Sequence, residues 1–166
     1  GVGERIAVRN SLKYPEGTAG RLMARELVMA PTHWNVGQTI DHLRKSTNLP
    51  MQFYDVVVID PMSKPIGKVP LSTLLRAQRS TALIDVVDEE FRTIPVGQSQ
   101  EDVAYAFNQY NMVSAPVVDE ENRLVGIITM DDAMEVLGDE ADEDIKLLGG
   151  VGDESLTDTI LATTRQ

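Results

Sequence analysis

The chain contains an internal repeat of about sixty residues, and this repeat restricts the possible folds more than any other feature of the sequence. Two segments carry the same order of features: a strand, a helix, two strands and a second helix. Gly67 and Gly126 occupy the same place in the third strand of each unit, 59 residues apart. Each unit is too small to bury its own sheet well, so we expect the two units to pack face to face as one pseudo-symmetric body.

Short β-branched runs bounded by turn residues predict the strands, and apolar residues at helical spacing predict the helices. The fold class is therefore α/β, of the α+β kind, with a C-terminal helical exit segment. The apolar stripe of the longer helix in the second unit consists of Val103, Ala106, Phe107 and Tyr110. The first unit is predicted to have strands at 27–30, 55–60 and 66–69 and helices at 36–46 and 71–78. The second is predicted to have strands at 91–96, 114–119 and 124–129 and helices at 99–110 and 130–137.

The composition excludes several classes of function. The formal net charge is −11, which disfavours binding to the phosphates of nucleic acid and favours cations or basic partners. The absence of cysteine excludes disulfides, thiolate metal sites and cysteine nucleophiles. No apolar run is long enough to span a bilayer. Neither a phosphate-binding loop nor a metalloprotease motif is present, so we predict that the chain is not an enzyme.

Carboxylates are concentrated in one stretch, DDAMEVLGDEADED, where they make up eight of fourteen residues between 131 and 144. One interpretation is that they occupy the favourable first turns of two helices separated by a helix stop at Gly138. That interpretation leaves Glu135 at the unfavourable end of the first helix. Asp132, Glu135 and Asp139 would also share one side of a continuous helix. The alternative is a site for a hard cation such as Mg²⁺ or Ca²⁺, which prefers oxygen ligands. The residues alone leave both interpretations open.

The repeat resembles a tandem pair of cystathionine-β-synthase (CBS) domains. The segment APVVDEENRLVGIITMDDAMEVL (115–137) is closely similar to that family, whereas VVVIDPMSKPIGKVPLSTLL (56–75) keeps only its strand-turn-strand frame. Two flanks, YPEGTAGRLM (14–23) and DEADEDIKLLGGVGDESL (139–156), resemble those of MgtE-type magnesium transporters.

This resemblance implies a domain organisation. Residues 1–18 would be a junction from a preceding acidic domain, 19–80 and 81–140 the two CBS units, and 141–166 the acidic exit and the start of a connecting helix. The chain would be a soluble homodimeric fragment on the cytoplasmic side of the inner membrane. The N-terminal domain and the membrane pore domain of the same multi-pass protein would be its partners.

The resemblance also implies a role for the acidic residues, because in such transporters they are implicated in binding regulatory Mg²⁺. Bound Mg²⁺ would then compact the dimer and close the pore. Asn111 falls where an acid is often found and would be a weaker ligand. Together with Asp139 from the helix spacing, the predicted metal ligands are Glu101, Asn111, Asp132, Glu135, Asp139, Glu140, Glu143 and Asp144.

Two other functions stay open. Many CBS pairs bind adenine nucleotides such as ATP or AMP in the clefts between units, with a hydroxyl residue followed three positions later by an aspartate that contacts the ribose. The second unit has this pair as Thr129 and Asp132, whereas the first unit has Pro70 and Thr73. The chain would then be a nucleotide-binding regulator of a channel or an enzyme. The last possibility is a dimerisation scaffold without a ligand.

Overall fold

The computed structural model describes residues 13–138, and these residues form two similar units. In chain order the elements up to residue 90 are α1 (Ala19–Leu22), β1 (Met29–Pro31), α2 (Val36–Lys45), β2 (Asp55–Ile59), β3 (Pro65–Pro70), α3 (Leu71–Arg76) and α4 (Leu83–Val86). The later elements are β4 (Ile94–Pro95), α5 (Gln100–Tyr110), β5 (Ser114–Val118), β6 (Leu124–Thr129) and a helical stretch at 130–138, labelled α6. None of the helices in this part of the chain is both long and apolar enough to cross a membrane.

Each unit contains a three-stranded sheet, with the order β1-β2-β3 in the first and β4-β5-β6 in the second. In both sheets the first strand is parallel to the second, and the second is antiparallel to the third. Both antiparallel pairs shift register at the same place, after Val58 in one unit and after Val117 in the other. The predicted fold class and the repeat are therefore confirmed.

The helix starts follow from capping residues. The Asn35 side chain accepts a hydrogen bond from the Gln38 backbone at 2.8 Å, and the Gln38 side chain accepts one in return from the Asn35 backbone. This reciprocal pair satisfies two backbone donors at the start of α2. Ser99 caps α5 in the same way, accepting from the backbone of Asp102 at 3.2 Å. The predicted helices at 36–46 and 99–110 are confirmed to within one residue at each end.

Several details differ from the sequence prediction, among them the bounds of β1 (Met29–Pro31 instead of 27–30) and of α3 (Leu71–Arg76 instead of 71–78). The strand predicted at 91–96 is reduced to Ile94–Pro95, and the N–H of Val96 still donates to the carbonyl of Val118 at 2.9 Å. Tyr110, predicted to lie on the apolar stripe, is 44% exposed, while Val103 and Phe107 are buried as expected. Gly138, the predicted helix stop, is helical and is the last residue that the structure describes, so the stop stays a prediction.

The turns between the antiparallel strands use equivalent aspartates. Asp60 accepts hydrogen bonds from the backbone N–H groups of two residues in its turn, and Asp119 does the same in the second unit. Burial alone would raise the pKa of Asp119, but the backbone donors of Glu121 and Arg123 and the Arg123 guanidinium outweigh it and hold that pKa below its ordinary value. The turn chemistry predicted at both places is present.

The leading segment of each unit packs on the other unit. The N–H of Ala19 donates to the carbonyl of Gln98 in the second unit at 2.8 Å, and Ala19 is buried in the second core. Conversely, Leu83 donates to the carbonyl of Trp34 at 3.0 Å and is buried in the first core. The segment 79–90, predicted to link the units, therefore contributes α4 to the core of the first unit.

Backbone pairing also joins each leading segment to the third strand of the other unit's sheet. Ala24 forms an antiparallel bridge with Ile127 of β6, and Asp88 forms one with Lys68 of β3. Each crossing passes directly over a glycine. A Cβ atom built on Gly67 would lie 2.6 Å from the carbonyl oxygen of Asp88, which leaves no room for a side chain. Gly67 is thus required for this close backbone approach.

We predict that Gly67→Ala lowers the free energy of unfolding by about 1–3 kcal/mol, because the added methyl group must displace the crossing backbone. Urea denaturation monitored by circular dichroism measures the change. Gly97→Ala is the matched control, since a Cβ atom there meets nothing within 4 Å. Equal stability of the two variants would contradict the tight crossing.

Candidate functional site

Two clefts lie between the units, in positions related by the internal repeat. The larger, called here the large cleft, has a volume of about 660 Å³, which is in the range of ligand sites. The second, the small cleft, has a volume of about 50 Å³ and is mostly apolar. The large cleft is lined by Lys68, Glu90, Phe91, Arg92, Tyr110, Asn111, Met112, Val113, Ser114 and Pro116. The small cleft is lined by Ala24, Glu26, Val28, Pro50, Gln52, Phe53, Tyr54, Asp55, Ser114, Ile127 and Thr129.

The charges of the two clefts differ. Lys68 and Arg92 contribute two cations to the large cleft against one acid, Glu90. The Arg92 guanidinium carbon lies 3.5 Å from the centre of the Tyr110 ring, an arrangement that holds the cation in place by cation–π attraction. The lining of the small cleft includes carboxylates but neither lysine nor arginine. Phosphate-bearing ligands are therefore favoured by the large cleft.

A buried polar cluster separates the clefts. The hydroxyl of Ser114 donates a hydrogen bond of 3.0 Å to Oδ2 of Asp55, and Nζ of Lys68 lies 3.9 Å from the same oxygen. Asp55 is 7% exposed and Ser114 is 6% exposed, so the carboxylate has lost most of its water. Asp55 and Ser114 are 59 residues apart and begin equivalent strands. We call these three residues the interface cluster.

The sequence prediction missed the interface cluster. Its only signal in the sequence is the repeat offset, because Asp55 and Ser114 stand at equivalent positions 59 residues apart. A pseudo-two-fold arrangement brings equivalent positions near its axis together. The offset alone did not indicate that the carboxylate of Asp55 would pair with Lys68.

The predicted ribose-binding pair is placed at the end of β6. The Thr129 hydroxyl donates a hydrogen bond of 3.1 Å to Oδ2 of Asp132, and Thr129 lines the small cleft. In the register of the first sheet, Pro70 pairs with Asp55 just as Thr129 pairs with Ser114. The ribose-type pair and the two cations therefore belong to different clefts.

The predicted metal ligands are only partly within the described residues. Glu101 is exposed in the first turn of α5, and Asn111 ends that helix in a left-handed conformation with φ of 50°. On α6, Asp132 is half-buried and Glu135 is exposed, and neither they nor Glu101 form a salt bridge with another residue of 13–138. The remaining predicted ligands lie outside the described residues: Asp139, Glu140, Glu143 and Asp144.

The described part of the chain does not assemble a metal site by itself. No group of three or more histidine or acidic side chains within residues 13–138 is arranged to hold a metal ion. Mg²⁺ usually keeps several waters and takes one or two carboxylates, so scattered exposed acids still fit sites shared with other segments or chains. The metal ligand set stays a prediction.

Comparison with known proteins gives the family. The sequence profile of the CBS domain matches residues 83–139. The magnesium transporter MgtE of Thermus thermophilus is 34% identical over 147 residues, covering 89% of this chain and 33% of that protein. The crystal structure of the soluble part of a magnesium transporter superposes with a TM-score of 0.76 at 30% identity, covering 81% of this chain and 52% of that one. The cytosolic domain of the Mg²⁺ channel MgtE in complex with ATP gives a TM-score of 0.75 at 31% identity, covering 80% and 53%.

The chain is a pair of CBS domains. It has two equivalent three-stranded sheets whose leading segments are exchanged, and the CBS profile matches its second unit. Over most of its length the chain is similar to curated MgtE magnesium transporters, at 30–34% identity. The chain spans about a third of the length of the curated relatives that it matches. These relatives are named as transporters and not as enzymes, in agreement with the sequence prediction.

Proposed function

We propose that the chain is the cytosolic Mg²⁺-sensing regulatory module of a magnesium transporter or channel. The observation that carries this proposal concerns two carboxylates on α6, half-buried Asp132 and exposed Glu135, in a chain related to MgtE over most of its length. Neither forms a salt bridge with another residue of 13–138. The helix leads directly into a stretch with five further carboxylates between 139 and 144. Like charges at this density repel one another, and a divalent cation offsets that repulsion.

The mechanism we propose is a change in compactness. At low Mg²⁺ the acidic segments repel, and the subunits or domains separate. Bound Mg²⁺ bridges carboxylates and favours a compact dimer, and the connecting helix carries this change to the pore. A cation shifts such an equilibrium only through its different affinities for the two states, so the ligands must be brought together only in the compact one.

The partner surface that we propose for the homodimer includes α6. Met130 and Met134 lie one helical turn apart on this helix and are 41% and 44% exposed, and Tyr105 on α5 is 65% exposed. Apolar side chains grouped on two helices of one unit suit coverage by a second copy. The dimer would carry twice the net charge of −11, which strengthens its dependence on cations. Further partners would be the N-terminal and membrane domains of the same protein, at the cytoplasmic side of the inner membrane.

We predict that Mg²⁺ raises the melting temperature above that of a control at equal ionic strength. At a hundred times its dissociation constant, a ligand that binds only the folded state adds about 2.7 kcal/mol to stability. We expect the combined variant Glu135→Gln/Asp144→Asn to lose most of this protection, as measured by thermal melting with and without MgCl₂.

The matched control is Asp85→Asn/Glu120→Gln, which removes the same charge from two exposed acids outside the proposed site. It should keep the full Mg²⁺ protection. Equal protection of both double variants would refute the ligand assignment, and the absence of protection in the original chain would refute Mg²⁺ sensing in favour of a scaffold without a ligand.

A second candidate function is binding of an adenine nucleotide, favoured by the large cleft. Its volume suits a ligand of that size, and Lys68 and Arg92 suit the phosphates. A similar structure, that of the MgtE cytosolic domain, holds ATP. This function is compatible with Mg²⁺ sensing, because the acidic residues of α6 do not line the cleft; of the predicted metal ligands within 13–138, Asn111 does.

We predict that ATP raises the melting temperature of the chain and that Lys68→Met/Arg92→Met weakens ATP binding by about tenfold or more, since two charge-assisted contacts are lost. Isothermal titration in Mg²⁺-free buffer measures the affinity. Asp132→Asn is the discriminating variant. If it weakens binding while the double variant does not, the nucleotide occupies the small cleft beside Thr129, and our assignment to the large cleft is wrong.

A further inference from the structure

Within the interface cluster, Lys68 has two possible anionic partners. Lys68 lines the large cleft, where it faces an incoming anion, and it also pairs with the buried carboxylate of Asp55. We infer that Asp55 regulates the large cleft by holding Lys68 in this ion pair, so that it competes directly with a phosphate-bearing ligand. The inference builds on the proposed nucleotide function, because it concerns the same cleft.

The geometry of the pair makes this competition possible. The distance of 3.9 Å between Nζ of Lys68 and Oδ2 of Asp55 is too long for a good hydrogen bond, so the attraction is mainly that of two charges. The Lys68 side chain is 24% exposed, whereas that of Asp55 is only 9% exposed. A lysine ammonium on a flexible four-carbon stem can turn toward the cleft, but the buried carboxylate cannot follow it.

When Lys68 turns toward the cleft, the buried carboxylate of Asp55 loses its counter-charge. A buried carboxylate that loses a counter-charge is costly, and Ser114 would then be its one remaining partner among the described residues. An anion entering the large cleft must overcome this cost in order to engage Lys68. The empty cleft is therefore held in a state of reduced anion affinity.

Lys68 belongs to only one of the two clefts. It lines the large cleft, whereas the repeat-related position in the small cleft is Ile127. Asp55 lines the small cleft, and its equivalent Ser114 lines both clefts. The carboxylate that pairs with Lys68 therefore does not itself line the cleft in which an anion would engage Lys68.

Inorganic pyrophosphate is the probe that tests this inference, titrated calorimetrically in Mg²⁺-free buffer. Asp55→Asn keeps the shape of the side chain and a hydrogen bond to Ser114 but releases Lys68, so we expect pyrophosphate to bind at least about fivefold more tightly. Lys68→Met should weaken binding by about tenfold or more, and adding Asp55→Asn to it should restore nothing. Glu26→Gln is the control, because it removes an exposed charge of the small cleft that makes no salt bridge with Lys68.

Ser114→Ala provides an independent test in the opposite direction. Without the hydroxyl, Asp55 depends more strongly on Lys68, and pyrophosphate should bind about two- to threefold more weakly. Thermal melting verifies that each variant is folded, and a variant that fails to fold leaves the other to decide. Tighter binding by Asp55→Asn supports the competition. Because Ser114 also lines the large cleft, weaker binding by Ser114→Ala supports it when the same substitution has no effect in the Asp55→Asn background.

Unchanged pyrophosphate affinity in folded Asp55→Asn and Ser114→Ala overturns the competition. Weaker binding by Lys68→Met would still support an anion site in the large cleft. If neither the original chain nor Asp55→Asn binds pyrophosphate or ATP, both the competition and the nucleotide function of the large cleft are wrong.

Discussion

The exchange of leading segments between the two units is the constraint on which the rest of the structure depends. The bridges from Ala24 to Ile127 and from Asp88 to Lys68 pair backbone groups at the free sides of β6 and β3, which would otherwise be exposed sheet edges. Each core is completed by side chains from outside its own unit, such as Ala19 and Leu83. The two units therefore fold as one body, and neither buries a complete core without the other.

This body separates two regions of opposite charge. The large cleft contributes Lys68 and Arg92 at the junction of the units, whereas α6 carries carboxylates and the sequence after it adds five more between 139 and 144. Under the proposed function a cation would act on this acidic end, and a phosphate-bearing ligand would act on the interface of the two units. Of the predicted metal ligands within 13–138, Asn111 also lines the large cleft, so the two ligands would share that residue.

The sequence predicts the parts of the fold that depend on local patterns. Asn35 and Ser99 mark helix starts, and Asp60 and Asp119 mark turns, because each acts on backbone groups within a few residues. The exchange was not predicted. The segment containing Leu83 reads locally as a linker, and only tertiary packing shows that it completes the first core.

In the candidate site, too, only the features formed by residues close in sequence could be predicted. The ribose-type pair of Thr129 and Asp132 is readable because its members are three residues apart on one helix start. The interface cluster is not readable as a whole. Asp55 and Lys68 lie on neighbouring strands of one sheet, but Ser114 meets Asp55 only when the two units pack. The resemblance to a known family supplied the acidic ligand set, and the described residues do not bring Glu101, Asp132 and Glu135 into one metal group.

The central claim is that Mg²⁺ changes the compactness of the module through the acidic end of the second unit. Small-angle X-ray scattering of the chain at constant ionic strength measures this most directly. We expect the radius of gyration to fall when millimolar Mg²⁺ replaces an equivalent ionic strength of K⁺. An identical radius of gyration in Mg²⁺ and in K⁺ would contradict the account.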